Sequence, residues 1–375
     1  MKYRNLSSLT AITAIASLVV ASPAMHAQQR TFNNNSSAGS GDNFWSNAAN
    51  WAGGEIADSN AEGAVLVQAP IVDNDYTIDS ISTNFSTPAI DVTGSGTLTI
   101  DTNSGGFANG IKHLSSNGVK LRFTGAVDIN NSQGGNTGVQ FQNNAANNVE
   151  FSSTSSLNLS TALQLVSNGG VAFNGTLTGS GVTNMNSNIV DITYGAGADN
   201  TGYAGNIVMN SNNGITSNTI VAGGFLNSNR KVQVNGTGGL LSLNGAQGMA
   251  GNLVIGNNKS LTLKVNANQS NFGFLNVNTG GLLGIDLAAS VTELFFSDSS
   301  SNGWTGATIS ITGFKENTIR FGIDNTGLTT DQLATIDGGI YSLKSDGFLS
   351  IPEPSSSGFL LGATGLAMVL VRRRR

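Results

Sequence analysis

The middle of the chain, from about Ala64 to Ile323, alternates apolar and polar residues in short runs. Alternation with a period of two puts every second side chain on one face, as in a β-strand with one buried face. Asn-Gly, Gly-Gly and Ser-Asn-Gly separate the runs, and these residues accept the positive φ of sharp corners. The clearest predicted strands are 97–100, 119–123, 157–159, 231–234, 240–243, 261–265 and 307–311.

Short strands with Gly and Asn corners fit a β-sandwich, a barrel or a solenoid. The array is long for one compact β domain, and the strand-turn unit recurs at loosely constant spacing. Inward aliphatic residues with Asn at the corners also suit stacked coils, where side chains form ladders. We therefore predict an all-β fold, an elongated parallel β-helix or β-solenoid over 64–323. Coils of about 20–25 residues and a short cap at each end are expected.

The N-terminus has the layout of a secretory signal peptide. Lys2 and Arg4 precede the uncharged segment Leu6–Val20, and Pro23 with small residues follows. The segment is too short and wrongly flanked for a lasting transmembrane helix. We predict a signal helix within residues 1–27 with cleavage after Ala27, or alternatively after Ala24, and hence an exported protein.

The C-terminus has three parts in order, and they are Pro352-Glu353-Pro354, the apolar segment Gly358–Val371 and four arginines. The arginines are Arg372, Arg373, Arg374 and Arg375. As a helix the apolar segment would reach roughly 21 Å, short of a ~30 Å hydrocarbon core. The arginines should stay on the cytoplasmic side, which places the Pro-Glu-Pro segment at the outer face. Prolines disfavour helix, so a protease would meet an extended segment there.

This arrangement over residues 351–375 resembles the PEP-CTERM sorting signal recognised by exosortases of Gram-negative bacteria. The resemblance implies a membrane-anchored intermediate, cleavage near the motif, and transfer to the cell surface or its polysaccharide matrix. The implied partners are signal peptidase and an exosortase-type membrane protease. A permanent tail anchor is the alternative.

A second resemblance lies within the predicted strands. Gly238–Ala246 runs into Gly251–Ile255, and a partial copy is formed by Ile192–Ala196 with Gly202–Val208. These segments resemble the autotransporter-associated β-strand repeat, in which a Leu-x-Leu-x-Gly-Ala strand leads to a Tyr-x-Gly turn and another strand. Met249 stands in the first copy where that pattern has tyrosine. The resemblance implies a solenoid architecture.

Both ends of the solenoid carry predicted caps. Residues 28–63 contain Trp45 and Trp51 in an arrangement that resembles the Trp-x5-Trp opening of bacterial surface proteins. The two indoles could stack on sugar rings, but we favour a cap on the first coil, whose open end needs covering. At 324–350 a capping box, with Thr329 as N-cap and Gln332 at N3, predicts a short helix followed by a closing hairpin.

The amino-acid composition is consistent with the predicted export of the protein. The chain has no cysteine and only 10% charged residues. Removal of both predicted terminal segments would leave 11 basic residues against 22 acidic ones if Glu353 is retained. Such a surface does not suit nucleic acid, so we expect no nucleic-acid partner.

Candidate chemistry is sparse. We expect His113 to be a surface residue without a catalytic role, because no motif places a partner beside it. Asp73-Asn74-Asp75, Asp298-Ser299-Ser300 and Gly195–Asp199 could offer oxygen ligands to calcium, but ordinary turns explain them better. We predict no catalytic residue, no metal site and no cofactor.

Two function classes remain from these residues. The first is a non-catalytic surface or matrix protein, a scaffold or adhesin associated with extracellular polysaccharide. The second is a polysaccharide-active β-helix enzyme, a lyase or hydrolase. Such enzymes need clustered acids and bases. Asp191 and Asp199 are the only acids between Phe151 and Ile285, so we favour the first class.

Overall fold

The computed structural model describes most of the chain between Gln28 and Pro352. The described ranges are 28–33, 42–83, 89–103, 107–113, 120–141, 148–165, 169–186, 190–210, 219–222, 230–246, 249 and 251–352. The predicted signal helix and the C-terminal hydrophobic helix lie outside these ranges. No helix within them is long and apolar enough to cross a membrane.

Parallel strands, numbered here in chain order, form the three faces of a β-solenoid. Within the described residues, sheet 1 contains 11 strands: β1 (Gln28–Phe32), β2 (Glu62–Leu66), β5 (Ser80–Thr83), β8 (Phe107–His113), β11 (Asn136–Phe141), β14 (Leu163–Leu165), β17 (Thr183–Met185), β19 (Ile207–Met209), β21 (Lys231–Val234), β23 (Asn252–Ile255) and β26 (Leu275–Val277). Sheet 2 is a continuous series of β3 (Ile71–Val72), β6 (Ile90–Gly94), β9 (Lys120–Phe123), β12 (Asn148–Phe151), β15 (Gly169–Phe173), β18 (Val190–Tyr194), β20 (Thr219–Ala222), β22 (Gly239–Leu243), β24 (Ser260–Val265), β27 (Leu282–Leu287) and β29 (Thr308–Thr312).

The third face is made of two shorter sheets. Sheet 3 contains β4 (Tyr76–Ile78), β7 (Thr97–Asp101), β10 (Ala126–Asn130), β13 (Ser156–Leu159) and β16 (Thr176–Gly179). Sheet 4 takes the same place in later coils and contains β25 (Gln269–Phe272), β28 (Leu294–Phe296) and β30 (Ile319–Phe321). Where all three faces have a strand, the chain runs from sheet 2 to the third face and then to sheet 1. The predicted all-β parallel solenoid is therefore confirmed.

The coils differ in length along the chain. In the C-terminal half Leu241 pairs with Leu263, and Leu263 with Ile285, so these coils have the predicted length. In the N-terminal half Leu98 pairs with Val127, and Val127 with Leu157, so these coils are longer than predicted. Longer connections between strands account for the difference, and hydrophobic alternation does not constrain their length.

The core is a set of side-chain ladders along the solenoid. Within sheet 2 the rings of Phe123, Phe151, Phe173 and Tyr194 stack in register, with successive centroids 5.1, 5.6 and 5.3 Å apart. Burial of a Phe side chain contributes about 1.5–3 kcal/mol relative to exposure. Neighbouring coils therefore stabilise each other directly, with no central globule.

Amide side chains form a ladder at one corner. Asn186 donates to Gln164 Oε1 at 2.9 Å, Asn210 donates to Asn186 Oδ1 at 3.0 Å, and Asn235 donates to Asn210 Oδ1 at 3.0 Å. Each asparagine follows directly after a strand of sheet 1. The predicted Asn corners thus link successive coils by side-chain hydrogen bonds.

A glycine is required at one close approach between two coils. Gly179 ends β16 with φ +93°, and a Cβ there would lie 2.3 Å from the carbonyl oxygen of Leu159 in the preceding coil. Both the positive φ and the close approach exclude a larger residue at this position.

Two turn residues occupy equivalent places in their coils. Each of them precedes a strand of sheet 1. Tyr203 lies four residues before Ile207 of β19, and Met249 lies four residues before Leu253 of β23. Both side chains are buried. The Tyr203 hydroxyl lies 2.8 Å from Gly181 O, to which it donates, and 3.0 Å from Thr183 Oγ1.

At the N-terminal end, loop segments cover the starting edges of sheets 1 and 2. The Ala52 amide donates to Thr31 O at 2.8 Å, beside β1, and the Trp45 amide donates to Ile71 O at 2.8 Å, beside β3. Because β1 already belongs to sheet 1, the solenoid begins within the region 28–63 that we predicted to be only a cap.

At the C-terminal end, the segment that follows the helix α1 (Thr330–Ala334) covers the last strand of sheet 2. Thr329 is the N-cap of α1, and the capping box with Gln332 is present as predicted. After the helix, the Asp337 amide donates to Ile309 O at 2.8 Å and its carboxylate accepts from the Ile311 amide at 3.2 Å. The predicted closing hairpin is β31 (Ser342–Leu343) paired antiparallel with β32 (Leu349–Ser350).

Candidate functional site

The two tryptophans lie inside the first coil. Trp45 is 0% and Trp51 2% exposed, and their ring centroids are 4.9 Å apart. Phe32 and Tyr76 complete the cluster, with centroids 6.3 and 5.8 Å from that of Trp45. Both indole N–H groups are satisfied internally, since Trp45 donates to Ala57 O and Trp51 to Trp45 O, each at 2.8 Å. Neither indole has a face on which a sugar ring could stack without unpacking this coil.

The expectation that His113 lies on the surface is wrong. His113 is 1% exposed, and its Nδ1 lies 3.0 Å from the hydroxyl of Thr83 on the adjacent strand β5. It follows Ile111 by two residues on β8, so the strand alternation turns both side chains into the core. The histidine is therefore a hydrogen-bonded core residue.

The acidic segments considered as calcium ligands form turns and edge contacts. Asp298 Oδ1 accepts from the amide and hydroxyl of Ser300 at 2.8 and 2.6 Å. Asp199 Oδ1 accepts in the same way from Thr201 at 3.0 and 2.7 Å, which lowers the pKa of Asp199. Asp75 accepts from the Thr97 amide of the next coil at 2.8 Å.

Asp73, in the same segment as Asp75, binds the N-terminal cap region. Burial acts to raise the pKa of Asp73, but hydrogen bonds from the Ser46 hydroxyl and, at 3.1 Å, from the Ser46 amide outweigh it and lower that pKa. Asp191 is an exposed residue of β18. Within the described ranges no group of three or more His, Asp and Glu side chains could hold a metal ion.

The chain leaves the C-terminal cap at Ile351 and Pro352, both of which are exposed. The amide of Ile351 donates to Glu316 Oε1 at 3.0 Å, and the Lys344 ammonium donates to Glu316 Oε2 at 3.0 Å. These two bonds lower the pKa of Glu316, with the Ile351 amide as the larger cause. The first proline of the predicted sorting motif thus follows a residue that is fixed to the solenoid.

The remaining residues of the predicted sorting and cleavage sites lie outside the described part of the chain. They are Ala27, Glu353, Pro354, Arg372, Arg373, Arg374 and Arg375.

The structure also brings together residues that sequence reasoning missed, in a cleft of about 610 Å³ on the outer face of sheet 4. Phe295 on β28 and Arg320 on β30 are register partners, and the guanidinium carbon lies 4.2 Å from the Phe295 ring centroid. Asp298 and Asp324 also line the cleft. We call this the sheet 4 cleft.

No protein-family model, no curated protein and no solved structure matches this chain.

Proposed function

We propose that this chain is an exported, non-catalytic protein of the cell surface or extracellular matrix, sorted through its C-terminal tail. Its role is that of a scaffold or adhesin associated with extracellular polysaccharide. The observation that carries the proposal is the closed solenoid whose chain leaves the cap at the exposed Ile351 and Pro352. That exit leads straight into the segment that resembles the PEP-CTERM signal.

The capped solenoid supports a structural role. Eleven strands at about 4.8 Å spacing give a stiff array of roughly 50 Å. Both ends of sheet 2 are covered by hydrogen-bonded segments, which prevents end-to-end pairing of exposed strand edges. A rod closed in this way presents its long polar faces to the surroundings.

Asp298 and Asp324 in the sheet 4 cleft are the feature that would favour the alternative, a polysaccharide-active enzyme. A glycosidase pairs a carboxylate with a general acid whose pKa is raised. Hydrogen bonds from the side chain and amide of Thr326 lower the pKa of Asp324 instead. Asp324 therefore fits an acceptor for hydroxyl groups better than a proton donor.

Topology provides the test, because the chain contains no cysteine. We would replace the exposed Thr308 of β29 with cysteine, and in a second protein add one cysteine after Arg375. A membrane-impermeant maleimide should label Thr308→Cys in intact spheroplasts of cells lacking the sorting protease. The cysteine after Arg375 should react only after permeabilisation.

Labelling of the added terminal cysteine, with Thr308→Cys protected, would contradict the orientation. Release of products from neutral or acidic polysaccharides by the purified protein, lost on Asp298→Asn or Asp324→Asn, would favour the enzyme.

A further inference from the structure

The sheet 4 cleft contains an arginine side chain without a polar partner. The guanidinium of Arg320 makes no hydrogen bond or ion pair with any described residue, and its Nε is buried. The arginines on other strands differ, since Arg122 forms an ion pair with Asp91 at 2.6 Å and Arg30 forms one with Glu62 at 2.7 Å. The terminal nitrogens of Arg320 are not among the buried unpaired atoms of the described residues, so the half-buried side chain retains these donors for an outside acceptor.

Aromatic packing fixes the position of this guanidinium. Its carbon lies 4.2 Å from the centroid of Phe295 and 5.8 Å from that of Phe348. These cation–π contacts hold a planar set of donors in place.

The sheet itself is irregular beside this arginine. On β25 two residues, Ser270 and Asn271, lie between the pairs that enclose the single residue Phe295 on β28. Such a bulge bends the strand and redirects its side chains. Both residues line the cleft, and Asn271 is exposed, so the bulge adds polar groups to the lining that Arg320 also belongs to.

Two carboxylates complete the polar lining. Asp298 and Asp324 each use Oδ1 in their own turns, with Ser300 and Thr326, and no described residue donates to either Oδ2. No ion pair of the described residues joins Arg320 to either carboxylate. The cleft therefore offers fixed acceptors and fixed donors at separate places.

An apolar side chain also lines the cleft. Ile323 is 81% exposed, and together with Phe295 it gives the cleft an apolar part. A sugar ring has the complementary surface, because its C–H groups pack on apolar side chains while its hydroxyl groups both donate and accept.

We infer that the sheet 4 cleft binds a segment of a neutral, hydroxyl-rich polysaccharide, with Arg320 donating to sugar oxygens and Asp298 and Asp324 accepting from sugar hydroxyls. Charge decides between neutral and acidic glycans. The cleft places two carboxylates against one guanidinium, and the whole chain has a formal charge of −5. A polyuronate would be repelled by this surplus of negative charge. The inference rests on the proposed function, since it supplies the site and the ligand class for association with the matrix.

The test is calorimetric titration of the purified full chain with maltohexaose, cellohexaose and mannohexaose, and with hexagalacturonate as the acidic probe. We expect binding of at least one neutral hexasaccharide and none of hexagalacturonate. Arg320→Gln should weaken that binding roughly tenfold or more, because it removes charge-assisted hydrogen bonds. Asp324→Asn keeps the turn acceptor for Thr326 and should weaken binding severalfold.

Arg230→Gln is the matched control, since Arg230 is exposed and lies outside the sheet 4 cleft. It should bind as the original protein does, and circular dichroism should show equal β content in all variants. The inference is overturned by failure of all neutral probes, by preference for hexagalacturonate, or by equal binding in Arg320→Gln and the control. A protein that binds but is not exported would refute the proposed function alone, and an exported protein that binds none of the neutral probes would refute this inference alone.

Discussion

Glu316 accepts a hydrogen bond from the backbone amide of Ile351 at 3.0 Å, and this contact joins the solenoid to the start of the tail. The same carboxylate binds the Lys344 ammonium of the closing hairpin. The tail therefore begins at a defined place on the C-terminal cap. The exposed Pro352, the first residue of the Pro-Glu-Pro segment, follows this contact directly.

The contact predicts how the exit of the tail responds to pH. The pKa of Glu316 is lowered in the folded protein, below its ordinary value of 4.5. Its contribution is therefore fully present above about pH 4.5 and is lost as the pH falls through the lower folded pKa. Hydrogen exchange should show a protected Ile351 amide at pH 6 that loses protection as the pH is lowered progressively below 4.5. Glu316→Ala should lack protection throughout this range, and equal protection of this variant and the original protein at pH 6 would refute the contact.

The tryptophan cluster predicts a stability effect. Trp45→Ala should lower the free energy of unfolding by about 3–5 kcal/mol, because a fully buried ring is lost from the end of the core. Trp45→Phe should lower the free energy of unfolding by less, because an aromatic ring remains in the cluster. The remaining loss comes from the smaller ring and from the missing hydrogen bond to Ala57 O. Denaturant unfolding followed by tryptophan fluorescence and circular dichroism would measure both. Unchanged stability in Trp45→Ala, together with lost glycan binding, would instead support the sugar-stacking role.

Two buried tyrosines predict opposite effects of the same substitution. Tyr194 lies in the aromatic ladder with its hydroxyl buried and without a hydrogen-bond partner among the described residues, and burial raises its pKa well above 10. Tyr194→Phe should therefore stabilise the protein by about 1 kcal/mol, because an unpaired buried hydroxyl costs that much or more. Tyr203 has a hydroxyl that donates to Gly181 O at 2.8 Å, and burial raises its pKa to about 12.

Tyr203→Phe is the matched control and should destabilise the protein by about 1–2 kcal/mol, because Gly181 O and Thr183 lose their partner. Thermal and denaturant unfolding would compare the two variants. A loss of stability in Tyr194→Phe equal to that in Tyr203→Phe would contradict the assignment of an unsatisfied hydroxyl.

Local pattern was enough to predict several strands and the capping box near the C-terminal end. The predicted strand 97–100 is β7, and the predicted capping box at Thr329 and Gln332 is present. Both features depend on residues that are close in the chain, where side-chain periodicity and helix capping act. The prediction for His113 was wrong because we assigned a polar residue to the surface. Its spacing of two residues from Ile111 already placed its side chain on the inward face of the strand.

The sheet 4 cleft could not be predicted from local pattern. Ser270, Phe295 and Arg320 lie on three successive coils, and they meet only once the strand register is known. Coil length also changes along the chain, since the coil from Leu98 to Val127 is longer than the coil from Leu241 to Leu263. The sequence alone therefore does not show which residues of successive coils lie next to each other in a sheet.

The central claim is that the chain is exported and then processed at its C-terminal tail, and intact-mass spectrometry of the protein recovered from the cell surface tests it most directly. The account predicts a mature protein that begins at Gln28, or at Met25 if cleavage follows Ala24. Its C-terminus should lie near Pro354, without Arg372–Arg375. Changing Pro352, Glu353 and Pro354 together to alanine should leave a longer, membrane-bound form in the same experiment. A wild-type surface protein that still carries Arg375 would contradict the account, because the tail would then be a permanent anchor.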